Sequence, residues 1–75
     1  MTKVYAIKGL DCASCALKIE KKVAALTGVK SIRVNFLTQK LTLEADESII
    51  DELAHKTAQI VQIVERKATL LLPTA

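Results

Sequence analysis

The spacing of apolar residues changes several times along these 75 residues, and this alternation is the strongest constraint on the fold. In some stretches apolar residues recur at every second position, which is typical of half-buried strands, and in others at every third or fourth position, which is typical of amphipathic helices. In chain order, the pattern predicts a strand at 3–8, a helix at 14–26, strands at 29–36 and 41–45, a helix from 49 to about 57, and a strand at 60–64.

Single residues mark the ends of several of these elements. Ser14 is the predicted N-cap of the first helix, and Gly28 stands where that helix should end. Ser48 followed by Asp51 resembles a capping box that starts the second helix. The polar residues around Thr38 predict a hairpin turn between the second and third strands.

The order strand, helix, strand, strand, helix, strand indicates one α+β domain. Two βαβ halves joined through a central hairpin are typical of the ferredoxin-like βαββαβ arrangement, a two-layer sandwich with a four-stranded antiparallel sheet and two helices on one face. We assign residues 1–67 to this domain and interpret 68–75, where Pro73 stands without any clear periodicity, as a tail or the start of a linker. A chain of this length leaves no room for a second domain.

Composition excludes several classes of function. The net charge is +3, and one Tyr, one Phe and no Trp leave no aromatic platform for stacking bases, so nucleic-acid binding is not expected. No stretch reaches the roughly 18–20 apolar residues that span a bilayer, and the N-terminus lacks the apolar core of a signal peptide. We therefore expect a cytoplasmic domain that does not itself insert into a membrane.

The segment that carries chemistry is the connection between the first strand and the first helix. It contains Cys12 and Cys15, the only cysteines, and Gly9 gives the backbone the freedom to turn there. In a reducing compartment a close cysteine pair is more often metal-binding or redox-active than a structural disulfide. The positive potential of a helix N-terminus favours thiolates, which are the form that binds metal.

Two cysteines supply only half of a tetrahedral zinc site, so the coordination shell stays open or is completed by Asp11, water or a partner. An open shell suits the transfer of an ion. Since Cu(I) is satisfied by thiolates while Zn(II) accepts mixed sulfur and oxygen ligands, Asp11 favours Zn(II), Cd(II) or Pb(II). The alternative role of Asp11 is to cap the loop or the helix start. A monomer is expected, although two open sites could share one ion and bridge a dimer.

The segment GLDCASC, within this order of elements, resembles the heavy-metal-associated domain family, whose motif is Gly-Met-x-Cys-x-x-Cys. The resemblance covers about residues 3–66. The family includes soluble metallochaperones and cytosolic N-terminal domains of heavy-metal-transporting P-type ATPases, and an Asp before the first Cys resembles the zinc/cadmium/lead-exporting branch. The resemblance implies that Cys12 and Cys15 are the metal thiolates, that Asp11 is the extra ligand, and that other domains of a transporter are the partners.

The resemblance also implies that any enzymatic activity belongs to a longer parent chain and not to this domain. These residues contain no phosphate-binding loop and no phosphorylation motif, so the domain alone is not expected to be an enzyme. If it is a fragment, the parent would be an ATP-driven heavy-metal transporter.

Two departures from the family pattern bear on the site. Leu10 stands where the family usually has Met, and we expect it to fill the same buried volume. The family often has a glycine and an aromatic residue in the loop before the last strand. We place that loop at 56–59, where neither occurs, and this argues mildly against a copper chaperone.

Several alternatives stay open from the sequence. The domain could be a stand-alone Cu(I) or Hg(II) metallochaperone, or a thiol–disulfide oxidoreductase, although the latter usually needs a proline facing its cysteines. His55, predicted in the last turn of the second helix, is either a supplementary ligand or a surface residue. Lys18, Lys21 and Lys22 form either a docking face for an acidic partner or an ordinary solvated helix face.

Overall fold

The predicted order of elements is confirmed by the computed structural model, which describes residues 1–72. In chain order the elements are β1 (Thr2–Lys8), α1 (Ala13–Ala24), β2 (Val29–Asn35), β3 (Lys40–Ala45), α2 (Ile50–Val64) and β4 (Thr69–Leu71). This is the predicted α+β, ferredoxin-like arrangement. No helix among residues 1–72 is both long enough and apolar enough to cross a membrane.

The four strands form one antiparallel sheet in the order β2-β3-β1-β4. Strand β1 lies in the middle, with Tyr5 opposite Leu41 of β3 and Ile7 opposite Leu70 of β4. The two helices contact each other, α1 packs on β2, and α2 packs on β3 and β4. Because Lys8 at the end of β1 lies opposite Thr69 at the start of β4, the loops that follow β1 and α2 lie at the same end of the sandwich.

The core lies between the sheet and the helices. Strand residues at every second position face it, and helix residues at three- and four-residue spacing meet them. The fully buried large side chains are Ile7, Leu10, Ile19, Val23, Leu41, Leu43, Ile50, Thr57 and Val61. Thr57 is the buried polar member, and its hydroxyl is satisfied because Oγ1 donates to the carbonyl of Leu53 at 2.7 Å.

The predicted strand at 60–64 is wrong, because these residues form the last turns of α2. Their β-branched composition suggests a strand locally, but Val61 is buried one helical turn after Thr57 and packs as a helix residue. The actual last strand, Thr69–Leu71, lies within the segment interpreted as a tail, and its Leu70 is buried in the core. Pro73 and the rest of the interpreted tail beyond Leu72 lie outside the described residues.

Both predicted helix caps need correction. The N-cap of α1 is Cys12 rather than Ser14, since the Cys12 sulfur accepts from the backbone amide of Cys15. Helix α2 starts without a side-chain cap. Asp51 instead accepts a 2.9 Å hydrogen bond from Lys3 Nζ on β1, so its carboxylate is engaged between elements rather than in a capping box.

Candidate metal centre

Three connections meet where the cysteines lie. The β1–α1 loop touches the β2–β3 turn, because Gln39 Nε2 donates to the carbonyl of Leu10 at 2.7 Å. It also approaches the α2–β4 loop, because Gly9 lies directly against the backbone of Lys67. The cysteine-bearing segment is therefore held between two neighbouring loops at one end of the sandwich.

The loop is anchored by one apolar residue and shaped by one glycine. Leu10 is completely buried, which confirms that leucine fills the volume beneath the loop. Gly9 has φ +78°, a left-handed conformation that side chains rarely adopt. The turn at Gly9 and the anchor at Leu10 leave Asp11 exposed and bring Cys12 to the start of α1.

Cys12 is a partly exposed thiol with hydrogen-bond donors around its sulfur. Its Sγ lies 3.0 Å from Ser14 Oγ and accepts from the Cys15 backbone amide at 3.3 Å. Hydrogen bonds from Ser14 and from Cys15 stabilise the thiolate and lower the pKa of Cys12 to about 7. Cys12 therefore loses its proton more readily than an ordinary cysteine.

Cys15 differs from Cys12 in its surroundings and in the direction of its pKa change. It is partly buried in the first turn of α1, packs against the core, and donates weakly to Glu65 Oε2 at 3.9 Å. Its pKa is raised, because its thiol hydrogen-bonds to Cys12, because burial disfavours the charged form, and because Cys12 and Glu65 place negative charge nearby. Both cysteines are free thiols. A metal ion that used both sulfurs would therefore have to displace the proton that the raised pKa keeps on Cys15.

The two predicted thiol ligands lie together, but Asp11 does not contact them through any hydrogen bond in the described part of the chain. Its carboxylate is exposed and adjacent to Cys12 only along the backbone. Within residues 1–72, no group of three or more His, Cys, Asp or Glu side chains is gathered closely enough to hold an ion. An oxygen donor would therefore have to move toward the cysteine pair to complete a coordination shell there.

His55 lies away from this end of the molecule. It is exposed near the middle of α2 rather than in its last turn, because the helix continues to Val64. Ten residues separate it from Glu65, which corresponds to about 15 Å along a helix axis. His55 is therefore not positioned to join the cysteines.

Glu65 is a candidate site residue that the sequence pattern did not indicate. The predicted position of the loop before the last strand, 56–59, lies inside α2, whereas the actual loop follows Val64. Thr57 and Val61 are four residues apart and both buried, so the helical spacing continues past residue 59. This spacing is the sequence feature that indicates a later position for the loop. The actual loop, Glu65-Arg66-Lys67-Ala68, also lacks a glycine and an aromatic residue.

Basic residues cover the exposed side of α1. Lys18, Lys21 and Lys22 are all exposed. Lys18 is close enough to Cys15 for its positive charge to oppose the rise in the pKa of that thiol. Cys15 therefore has both the Lys18 ammonium and the Glu65 carboxylate in its neighbourhood.

Comparison with known proteins identifies the family. Residues 4–68 match the profile of the heavy-metal-associated domain. The chain belongs to this family. Its members bind heavy-metal ions, and the domain is a metal-binding rather than a catalytic unit. The resemblance predicted from GLDCASC and the order of elements is therefore confirmed.

Sequence relatives of this heavy-metal-associated domain include transporters of different ions. It is 44% identical over 45 residues, 60% of the chain, to a zinc/cadmium/lead-transporting P-type ATPase of Escherichia coli strain K12. It is 40% identical over 42 residues, 56% of the chain, to copper-transporting ATPase 2 of Rhizobium meliloti strain 1021. The chain spans only 6% and 5% of the lengths of these two relatives.

A solved structure supports the same relationship. The N-terminal domain of ZntA in its Zn(II) form is 31% identical, with a TM-score of 0.71, over 93% of this chain and 88% of that one. The domain is thus homologous to the N-terminal metal-binding regions of zinc/cadmium/lead P-type ATPases. Because the relatives include a copper transporter, the ion must be argued from the site itself.

Proposed function

We propose that this domain binds a divalent ion, Zn(II), Cd(II) or Pb(II), through Cys12 and Cys15 together with a carboxylate oxygen. The observation that carries the proposal is the Glu65 carboxylate, whose Oε2 lies 3.9 Å from Cys15 Sγ. Mixed sulfur and oxygen donors suit these divalent ions, whereas Cu(I) is satisfied by the two thiolates. Each carboxylate also contributes negative charge that balances a divalent cation.

In the cell, we propose that the domain serves metal export as the cytoplasmic N-terminal domain of a P-type ATPase. The exposure of Asp11 and the partial exposure of both sulfurs support transfer of the ion, because a donor group from another domain can reach the cation before either cysteine releases it. The basic face at Lys18, Lys21 and Lys22 suits an acidic surface on that domain. The domain acts as a monomer in this proposal.

A Cu(I)-binding role is the second candidate. It is favoured by the similarity to copper-transporting ATPase 2 and by the fact that two thiolates complete a Cu(I) site without any carboxylate. The two candidates differ in whether Asp11 and Glu65 contribute to binding.

Asp11→Ala and Glu65→Gln test this difference. We expect at least one of them to weaken Zn(II) binding about tenfold or more, because an oxygen ligand and its charge are lost, while Cu(I) affinity changes less than about threefold. Competition titrations against a chromophoric Zn(II) chelator and a separate Cu(I) chelator measure both affinities. Asp46→Ala is the matched control. Asp46 is an exposed aspartate that follows β3, at the end of that strand away from the cysteine loop.

The outcome separates the two candidates. A selective loss of Zn(II) affinity supports the divalent proposal and identifies which carboxylate is the donor. If both variants and their double mutant bind Zn(II) as tightly as the unmodified domain, or lose Cu(I) equally, the divalent proposal is contradicted.

A further inference from the structure

Gln39 has an unusual backbone conformation. Among residues 1–72 it is the non-glycine residue with a positive φ, 56°, and it ends the β2–β3 turn immediately before Lys40. The left-handed region is unfavourable for residues that carry a Cβ, and glycine or asparagine occupies it at lower cost. On backbone conformation alone, glycine or asparagine would be preferred at this position, so the glutamine must be explained by its side chain.

Gln39 is joined to the β1–α1 connection at two points. Its backbone carbonyl accepts from the amide of Ile7 at 2.9 Å, at the end of β1. Its side-chain Nε2 donates to the carbonyl of Leu10 at 2.7 Å, across 29 positions of sequence. The side chain is partly buried, so water competes less for this second bond than it would at an exposed site.

The second bond acts on the peptide that leads into the metal ligands. Within the described residues it is the hydrogen bond that ties loop residues 9–11 to the remainder of the chain. The Leu10 carbonyl belongs to the peptide unit that ends at the nitrogen of Asp11, and Cys12 follows directly. Rotation of that peptide unit would move the Asp11 carboxylate and the Cys12 sulfur together.

We infer that Gln39 is a positioning residue of the metal centre. Its side-chain amide fixes the Leu10–Asp11 peptide, and thereby the placement of the Asp11 carboxylate and Cys12 Sγ relative to Cys15; this inference rests on the proposed divalent function. A group that does not touch the ion but orients its ligands typically changes affinity about 10- to 100-fold when removed. The left-handed backbone at Gln39 is the conformation from which its side chain reaches the loop.

Two variants isolate the side-chain N–H donor. Gln39→Gly keeps the left-handed backbone accessible and removes the side chain. Gln39→Glu keeps the size of the side chain but replaces the donor with an acceptor. Because their effects on backbone strain differ, the property the two share is the loss of the bond to Leu10. Thr38→Ala is the control, since Thr38 is the exposed neighbour in the same turn.

Two measurements are needed, one of them on the metal-free domain. We expect both Gln39 variants to weaken Zn(II) binding about tenfold or more. In the metal-free state we expect the ¹⁵N order parameters of Leu10 and Asp11 to fall from about 0.85 toward about 0.6 or below. Thr38→Ala should change neither quantity, and the thermal unfolding midpoint of Gln39→Gly should stay close to that of the unmodified domain.

The outcomes distinguish this inference from the proposed function. If the unmodified domain does not bind Zn(II), the proposed function fails and the inference fails with it. If it binds Zn(II) and both Gln39 variants bind equally well, only the role of Gln39 is overturned. Weaker binding with unchanged order parameters at Leu10 and Asp11 also overturns it, because Gln39 would then act by another route.

Discussion

Replacing Cys12 and Cys15 together with alanine is expected to abolish tight Zn(II) binding while leaving the fold in place. The two sulfurs are the donors that the structure already brings together, and the carboxylates alone would form a weak, solvent-exposed site. We expect the affinity to fall about a thousandfold or more, which corresponds to about 4 kcal/mol. A competition titration with a chromophoric chelator measures the loss.

Stability should change much less than affinity in this variant. Both cysteines are only partly buried, and the main structural loss is the cap that Cys12 Sγ provides to α1, which is worth about 1 kcal/mol. Circular dichroism and thermal unfolding establish that the variant is folded. Ser48→Ala is a useful control because Ser48 is exposed and lies in the turn before α2, outside the cysteine loop. Zn(II) affinity within tenfold of the unmodified domain in a folded double variant would exclude these cysteines as the site.

Gly9→Ala is expected to cause the largest loss of stability among single substitutions near the site. The backbone at Gly9 is left-handed, and an added Cβ would collide with the backbone carbonyl of Lys67. That carbonyl cannot move aside easily, because Ala68 is completely buried and leads directly into β4. We expect the free energy of unfolding to fall by about 3 kcal/mol or more, combining left-handed strain with the displaced backbone. Urea unfolding followed by circular dichroism measures it.

Gly28→Ala provides the matched comparison. Its φ is +97°, so the conformational strain is similar, but the added Cβ would meet Cδ1 of Ile49 at 2.6 Å. The end of a side chain can rotate away, so we expect a loss of about 1–2 kcal/mol, close to the conformational cost alone. Equal losses at the two glycines would show that the contact with Lys67 does not hold the loop.

The fold was largely predictable because its periodicities differ clearly. Alternation in β2 and β3 and the spacing of Ala16, Ile19 and Val23 in α1 are visible in the sequence, and these residues face the core as expected. Since the order of elements restricts the topology strongly, the sheet followed from that order.

The end of the chain was less predictable. Residues 60–64 are rich in β-branched side chains, yet they extend α2 because Val61 is buried against the core as a helix residue. Strand β4 has only three residues and one buried side chain, Leu70, so no alternation can be recognised in it. Its conformation depends on pairing with β1, which is information that its own sequence does not contain.

The candidate site was predictable only where its residues are close in sequence. Cys12, Cys15 and Asp11 follow from one short motif, and the structure places both cysteines together as expected. Glu65 lies 50 positions beyond Cys15 and reaches it only through the packing of α2. The contact between Gln39 and Leu10 depends on a backbone conformation that a glutamine does not signal.

X-ray absorption at the zinc K-edge of the domain loaded with one equivalent of Zn(II) identifies the atoms that surround the ion. The account predicts two sulfur neighbours at about 2.3 Å, with the remaining ligands being oxygens at about 2.0–2.2 Å. Because the domain contains only two cysteines, four sulfur neighbours would require two chains to share the ion. A shell with four sulfurs, with no sulfur, or with imidazole nitrogen in place of the oxygens would contradict the account.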